Sequence, residues 1–123
     1  MKKIVYVLTN DPKERIELIS SALAQALTAL SFGYKCEIFV MDNGVRLLEP
    51  KYIEGLKAKT FDPLSELIQY YRDMGGQLYG CNPSLASRNI NINTEACKGG
   101  ADDFVNASKL LESSVEADAV FTY

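Results

Sequence analysis

The chain contains no histidine. That absence removes the Ser-His-Asp and Cys-His mechanisms, and with them the commonest nitrogen ligand of metal ions. Cysteine is scarce: Cys36, Cys81 and Cys97 are the whole set, and no two form a C-x-x-C pair. An odd, sparse set is not a secreted disulfide framework, and without the pairing neither a zinc site nor a thioredoxin-type motif is expected. Glycine-rich phosphate loops are missing too, since neither G-x-G-x-x-G nor G-x-x-x-x-G-K-[ST] occurs, so nucleotide binding has no motif behind it. No metal or organic cofactor is expected.

Long apolar runs are also lacking. None approaches the ~20 residues that span a bilayer. The start, MKKIVYVLTND, has no long apolar segment or small-residue cleavage site of the secretory kind. Positive charge is in deficit, with 13 Lys and Arg against 16 Asp and Glu, a net −3 that argues against a nucleic-acid partner. Lys51, Lys57 and Lys59 cluster, and a solvated loop accounts for them. The expectation is a soluble, cytoplasmic protein.

What is present is ordinary globular material. The 123 residues are 47% hydrophobic and 24% charged, enough for one domain, residues 1–123, with its own core and no need of disulfides. Lys3 to Leu8 reads as a buried strand. Pro12 to Phe32 carries Ile16, Ile19, Leu23, Leu27 and Leu30 on one helical stripe, closed by Gly33 at C′. Lys35 to Met41 is a second strand, with Cys36, Ile38 and Val40 on one face and Glu37, Phe39 and Met41 on the other. Asp42-Asn43-Gly44 is a strong turn. Val45 to Thr60 is less regular, with a helical turn at VRLL and then a lysine-rich loop. Pro63 to Met74 is helical through Leu64, Leu67, Ile68 and Tyr71, and Gly75-Gly76 ends it. Gln77 to Gly80 forms a third strand, Pro83 to Ile90 a short helix, Asp103 to Asn106 a fourth strand, Ser108 to Ala117 a helix and Asp118 to Tyr123 a closing strand. Strands alternating with helices predict a mainly parallel sheet of about five strands with helices on both faces.

Asp11-Pro12, Asp62-Pro63 and Asn82-Pro83 repeat one device: an N-cap side chain ahead of a proline at N1. Glu14 then falls at N3 of the first helix, where a carboxylate suits the positive end of the dipole. Asn82-Pro83 therefore marks a helix start and needs no chemical role.

The thiols differ by position. Cys36 sits within a strand on an apolar face, as buried free cysteines do. Cys97 lies in the polar stretch NININTEACKGG and is a candidate second thiol. Cys81 falls at the carboxyl end of the third strand, where open α/β sheets gather ligands, and just ahead of a helix whose free N–H groups favour a thiolate. The competing reading is a cysteine packed under a loop. Without an imidazole, the chemistry left to Cys81 needs only a thiolate: carrying sulfane sulfur as a persulfide, thiol–disulfide exchange, or peroxide reduction. Asn10, Asp42, Asn43, Gly44, Asn82 and Ser84 cluster at strand ends and helix starts and are the candidate binding residues.

In order and spacing these features resemble the DsrE/DsrF-like family of small sulfur-relay proteins. The resemblance rests on KKIVYVLTND with its alanine-rich helix, on IFVMDNGVRLL, on Gly75-Gly76, on Cys81 directly after the third strand, and on ESSVEADAVFTY. It implies a flavodoxin-like three-layer sandwich, a homo-oligomer (trimer or hexamer), sulfur donor and acceptor proteins as partners, and Cys81 as the persulfide carrier. Two other functions stand beside that one: a peroxiredoxin-like redox protein pairing Cys81 with Cys97, and a non-enzymatic oligomeric binding module. Cys97 has no counterpart in the pattern that carries the resemblance.

Overall fold

A computed structural model describes residues 1–93 and 100–123. Among these residues five strands form one sheet: β1 (Lys3–Leu8), β2 (Lys35–Val40), β3 (Gln77–Cys81), β4 (Asp103–Val105) and β5 (Ala119–Thr122). The helices are α1 (Ile16–Ser31), a 3₁₀ helix (Asp42–Leu48), α2 (Pro50–Ile53), α3 (Leu64–Asp73), α4 (Asn82–Ser87) and α5 (Ala107–Glu116). Across the sheet the order is β4-β3-β2-β1-β5, and every neighbouring pair is parallel. The fold is the expected α/β sandwich of flavodoxin-like kind, with a wholly parallel sheet.

That order dictates the layers. The steps β1 to β2 to β3 to β4 all move one place in the same direction, so right-handed crossovers put α1, α3 and α4 on one face. The step from β4 to β5 runs back across the sheet and puts α5 on the other. The core divides accordingly. Ile19, Leu23 and Ala26 of α1, Leu64, Leu67, Ile68 and Tyr71 of α3 and Leu85 of α4 pack on Ile4, Tyr6, Leu8, Cys36, Ile38, Val40 and Leu78. On the second face Val5, Val7, Phe39 and Tyr79 meet Met41, Val105, Leu110 and Ala117. This second layer is thin, since Ser113 is the one fully buried residue of α5.

Local chemistry explains most boundaries. At the end of α1, Gly33 turns to φ +84° and Tyr34 N–H bonds back to Ala29 O at 3.1 Å, which closes a Schellman motif. Tyr71 points its hydroxyl at the carbonyls of Gln77 (2.7 Å) and Cys36 (3.1 Å), tying α3 to β2 and β3. Gly76 is required there because a Cβ would overlap the Tyr71 ring.

Several boundary expectations are corrected. The Asx-Pro pairs are not simple N-caps. Asp11 Oδ1 accepts from Lys13 N–H at 2.8 Å and forms a separate turn, so regular α1 begins at Ile16 after Arg15. Glu14 therefore lies before the helix, and Glu17 is the acidic residue of its first turn. Pro63 itself occupies the cap position of α3, with no side-chain bond. In α4 the cap is Cys81, and Asn82 is already helical. The Asn82 side chain instead reaches the neighbouring strand, where its Nδ2 donates to Phe104 O of β4 at 3.3 Å. Finally, Asp42-Asn43-Gly44 is a turn that continues as a 3₁₀ helix through VRLL, and the lysine-rich stretch after it opens with α2.

Candidate functional site

The carboxyl ends of β2, β3 and β4 converge on Cys81. It is the last residue of β3, registered against Val105 of β4, and it caps α4 with φ −80° and ψ 116°. Extended backbone at the cap lets the strand pass straight into the helix without a loop. The thiol is free and half-buried. β3 continues into α4 on one face of the sheet and β4 into α5 on the other, so the connections of two adjacent strands part here. Open α/β sheets place ligand crevices at such a point.

A cavity of about 110 Å³ opens beside Cys81. Phe39 and Met41 of the β2 end, Pro83, Val105 and Leu110 line it, and Asn106 supplies its polar edge. Phe39 stacks on Tyr79 with ring centroids 5.0 Å apart, which fixes that wall. These wall residues were not singled out from the sequence. The signal was nonetheless there, since period-two alternation in β2 puts Phe39 and Met41 on the face away from Cys36.

The other candidate residues separate into groups. Asp42 adopts φ +50°, and its N–H donates to Ser84 Oγ at 2.9 Å. Arg88 reaches Asn43 Oδ1 (3.1 Å), Ser84 O (3.1 Å) and Ser87 Oγ (2.9 Å). Asp42, Asn43 and Ser84 thus form one hydrogen-bonded clasp between the β2 end and α4, on the flank of Cys81. Gly44 turns towards β1, against the Leu8 carbonyl. Asn82 is committed to β4. Asn10 lies at the end of β1, two strands from β3, about 10 Å across the sheet. Next to it the Asp11 carboxylate accepts from Tyr52 OH at 2.7 and 2.9 Å, and burial together with that carboxylate pushes the Tyr52 phenol up to about 12. Cys97 lies outside the described residues.

Cys36 is a different kind of thiol. It is 1% exposed in the main core, with its Sγ 3.8 Å from Ala26 O, and burial pushes its pKa up to about 11. A second feature escaped notice in the sequence. Glu37, 2% exposed beneath α5, is paired with Lys3 Nζ at 3.0 Å. Burial pushes its carboxyl up, but hydrogen bonds from Lys3 and Ser113 and the nearby lysine charges outweigh that and hold it below the usual range. Its strand position pointed to that face; only the packing of α5 made it buried.

Among the described residues no group of three or more His, Cys, Asp and Glu side chains could hold a metal ion, and no helix is long and apolar enough to cross a membrane.

The chain is thus a parallel five-stranded α/β sandwich with a free thiol at the end of its third strand. Residues 2–123 match the DsrE/DsrF-like family, and the chain belongs to it. Solved structures share the fold along the full chain. The ychN protein from E. coli superposes with a TM-score of 0.79 at 18% identity, all of both chains being covered. MTH1491 from Methanobacterium thermoautotrophicum, a protein of unknown function, gives 0.72 at 14% identity, again over both whole chains. BT1422 from Bacteroides thetaiotaomicron, likewise of unknown function, gives 0.68 at 14% identity, covering 99% of this chain and 95% of the other. No curated protein matches the chain.

Proposed function

We propose that this protein is a sulfur carrier in which Cys81 accepts sulfane sulfur as a persulfide and passes it to another thiol. One observation carries the reading: a free, half-accessible thiol stands at the parting of β3 and β4 with an apolar cavity beside it. The chemistry is balanced without any cofactor. Thiolate attacks the outer sulfur of a donor persulfide, the donor S–S bond breaks, and the donor leaves as a thiolate. Membership of a family of sulfur-relay type supports the same role. Donor and acceptor are then thiols of partner proteins, and free cysteines suit a reducing cytoplasm.

The test is intact mass after incubation with a persulfide donor. A one-sulfur adduct that vanishes in Cys81→Ser supports the reading, and an adduct on Cys36 or Cys97 alone, or none, overturns it.

The carrier works as a homo-oligomer. Leu111 and Val115, one turn apart on α5, are 66% and 76% exposed, and a second copy would cover them. Light scattering of the wild type and of the Leu111→Lys, Val115→Lys double variant checks this. An assembly that the variant breaks is the expected result, and a wild-type monomer refutes it.

A further inference from the structure

The two edges of the sheet are built differently. At the β4 edge the strand is three residues long and begins with Asp103, while Asp102 just before it is paired with Arg72. Short, charged edges resist pairing with another chain. The β5 edge has neither device. Ala119–Thr122 reads AVFT, without charge or proline, and runs beside β1 in unbroken register. Its two large side chains, Val120 and Phe121, are exposed on opposite faces of the sheet.

The main chain decides what can lie alongside. Tyr123 N–H donates to Val7 O at 2.8 Å and Tyr123 O accepts from Thr9 N–H at 2.8 Å, so Tyr123 faces β1. Main-chain groups alternate in direction along a strand, which turns those of Phe121 to β1 as well and those of Val120 and Thr122 outwards. β5 is the outermost strand, so these two N–H and two C=O groups have no strand to pair with among the described residues. Asp118 N–H, just ahead of the strand, is already taken by Lys3 O at 2.8 Å. Donors and acceptors confined to Val120 and Thr122 match the same set on another copy turned about a two-fold axis at Phe121.

We propose that β5 is a self-pairing edge, where two copies of the chain join antiparallel about Phe121 into one continuous sheet. In that register Val120 exchanges both main-chain bonds with Thr122 of the second copy, and the symmetry repeats the exchange. The side chains fit the same register. Phe121, stacked on Tyr6 with ring centroids 5.6 Å apart, meets Phe121 of the second copy at the narrow, non-hydrogen-bonded spacing. On that face small Ala119 lies opposite large Tyr123. On the other face Val120 lies opposite Thr122, a β-branched pair, and nowhere along β5 do like charges meet. This surface is distinct from the outer side of α5 that carries Leu111 and Val115. It also leaves Cys81 clear, since β3 is three strands from β5, about 14 Å across the sheet.

The experiment uses the full chain carrying Leu111→Lys and Val115→Lys, so that the α5 face plays no part, and reads sedimentation velocity together with amide hydrogen exchange. The expected state is a dimer that dissociates on dilution. The Val120 and Thr122 amides are expected to be protected only in the dimer, and those of Phe121 and Tyr123 at every concentration. Two charge variants then test the register. Val120→Lys with Thr122→Lys sets lysine opposite lysine twice, and Val120→Glu with Thr122→Glu sets glutamate opposite glutamate. Each alone is expected to self-associate at least about tenfold more weakly than the parent. An equal mixture of the two is expected to recover the dimer, because every cross-strand pair then joins opposite charges. Both positions are on an outer strand and thermal melts check that the variants fold. A parent that stays monomeric at all concentrations, or a dimer whose Val120 and Thr122 amides exchange freely, overturns β5 pairing. A mixture that associates no better than the separate variants overturns it too.

Discussion

Gly44 packs directly against the main chain of Leu8. A Cβ at position 44 would overlap the Leu8 carbonyl oxygen and lie 2.8 Å from its carbon. That carbonyl accepts from Met41 N–H at 3.0 Å, so the β1 end is tied to the β2 end where the 3₁₀ helix starts. The obstacle is backbone, which cannot step aside as a flexible side chain can.

Gly44→Ala is therefore expected to cost about 3 kcal/mol or more, at the upper end for overpacking. Gly33→Ala offers the contrast. Nothing lies within 4 Å of a Cβ there, and the cost is only that of φ +84° for an L-residue, about 1–2 kcal/mol. Urea unfolding of the two variants gives the comparison. If Gly33→Ala proves the more damaging, the close approach at Leu8 is not what constrains Gly44.

Ser84 holds the clasp beside Cys81 together. Its Oγ accepts from the N–H of Asp42, a residue already at φ +50°. Ser84→Ala removes the acceptor of this partly buried bond, for a loss of about 1 kcal/mol. Because the clasp joins the β2 end to α4, hydrogen exchange at Asp42 and Asn43 should speed up in the variant. The exchange of β1 amides should not change, and a uniform increase would mean global destabilisation instead of a local tie.

The sequence made the sheet, the order of its elements and Cys81 at a strand end legible because those rest on local periodicity and on glycine and proline punctuation. Ile16 to Leu30 reads as a helix whatever surrounds it. What stayed hidden depends on partners far along the chain. Asn82 looked like a cap until Phe104, 22 residues later, took its amide. Glu37 shares a strand face with Phe39 and Met41 in the sequence, but only α5 covering it and Lys3 supplying the countercharge make it a buried ion pair. The cavity is of this second kind as well. Phe39, Pro83, Val105 and Leu110 come from four separate elements or junctions, and only the sheet order 4-3-2-1-5 brings them together beside Cys81.

The Glu37–Lys3 pair makes stability depend on pH in a defined direction. Glu37 titrates below its ordinary 4.5 in the folded protein, so its contribution is complete above that value and is lost as pH falls through the lower folded pKa. Lys3 is the mirror case. Burial pulls its pKa down, but Glu37 and Glu116 outweigh this and raise it above 10.5, so its contribution fades only as pH rises beyond that. Glu37→Gln leaves a mostly buried ammonium with only Glu116, at 3.4 Å, for a loss of about 3 kcal/mol near neutrality. The gap between wild type and variant should narrow as pH drops below 4.5. Urea midpoints from neutral pH down to about pH 3 test it. A gap that stays constant would show that the carboxylate's charge contributes nothing.

Two described thiols in one small chain should behave oppositely, and that contrast separates position from composition. Cys36 is sealed in the core, and burial lifts its pKa to about 11, so at pH 8 roughly one molecule in a thousand would carry its thiolate even if a reagent arrived. Cys81 is half-exposed at the mouth of the cavity. In a Cys97→Ser background, which leaves just these two, an aromatic disulfide reagent should therefore titrate one thiol quickly in the native protein. The second should appear only in denaturant, because exposing Cys36 requires opening the layer between β2 and α1. Adding Cys81→Ser should abolish the fast phase without slowing the denatured one. Two fast thiols would mean that the core around Cys36 opens readily. If neither is fast, Cys81 is a packing residue, and the binding-module function becomes the better account of the fold.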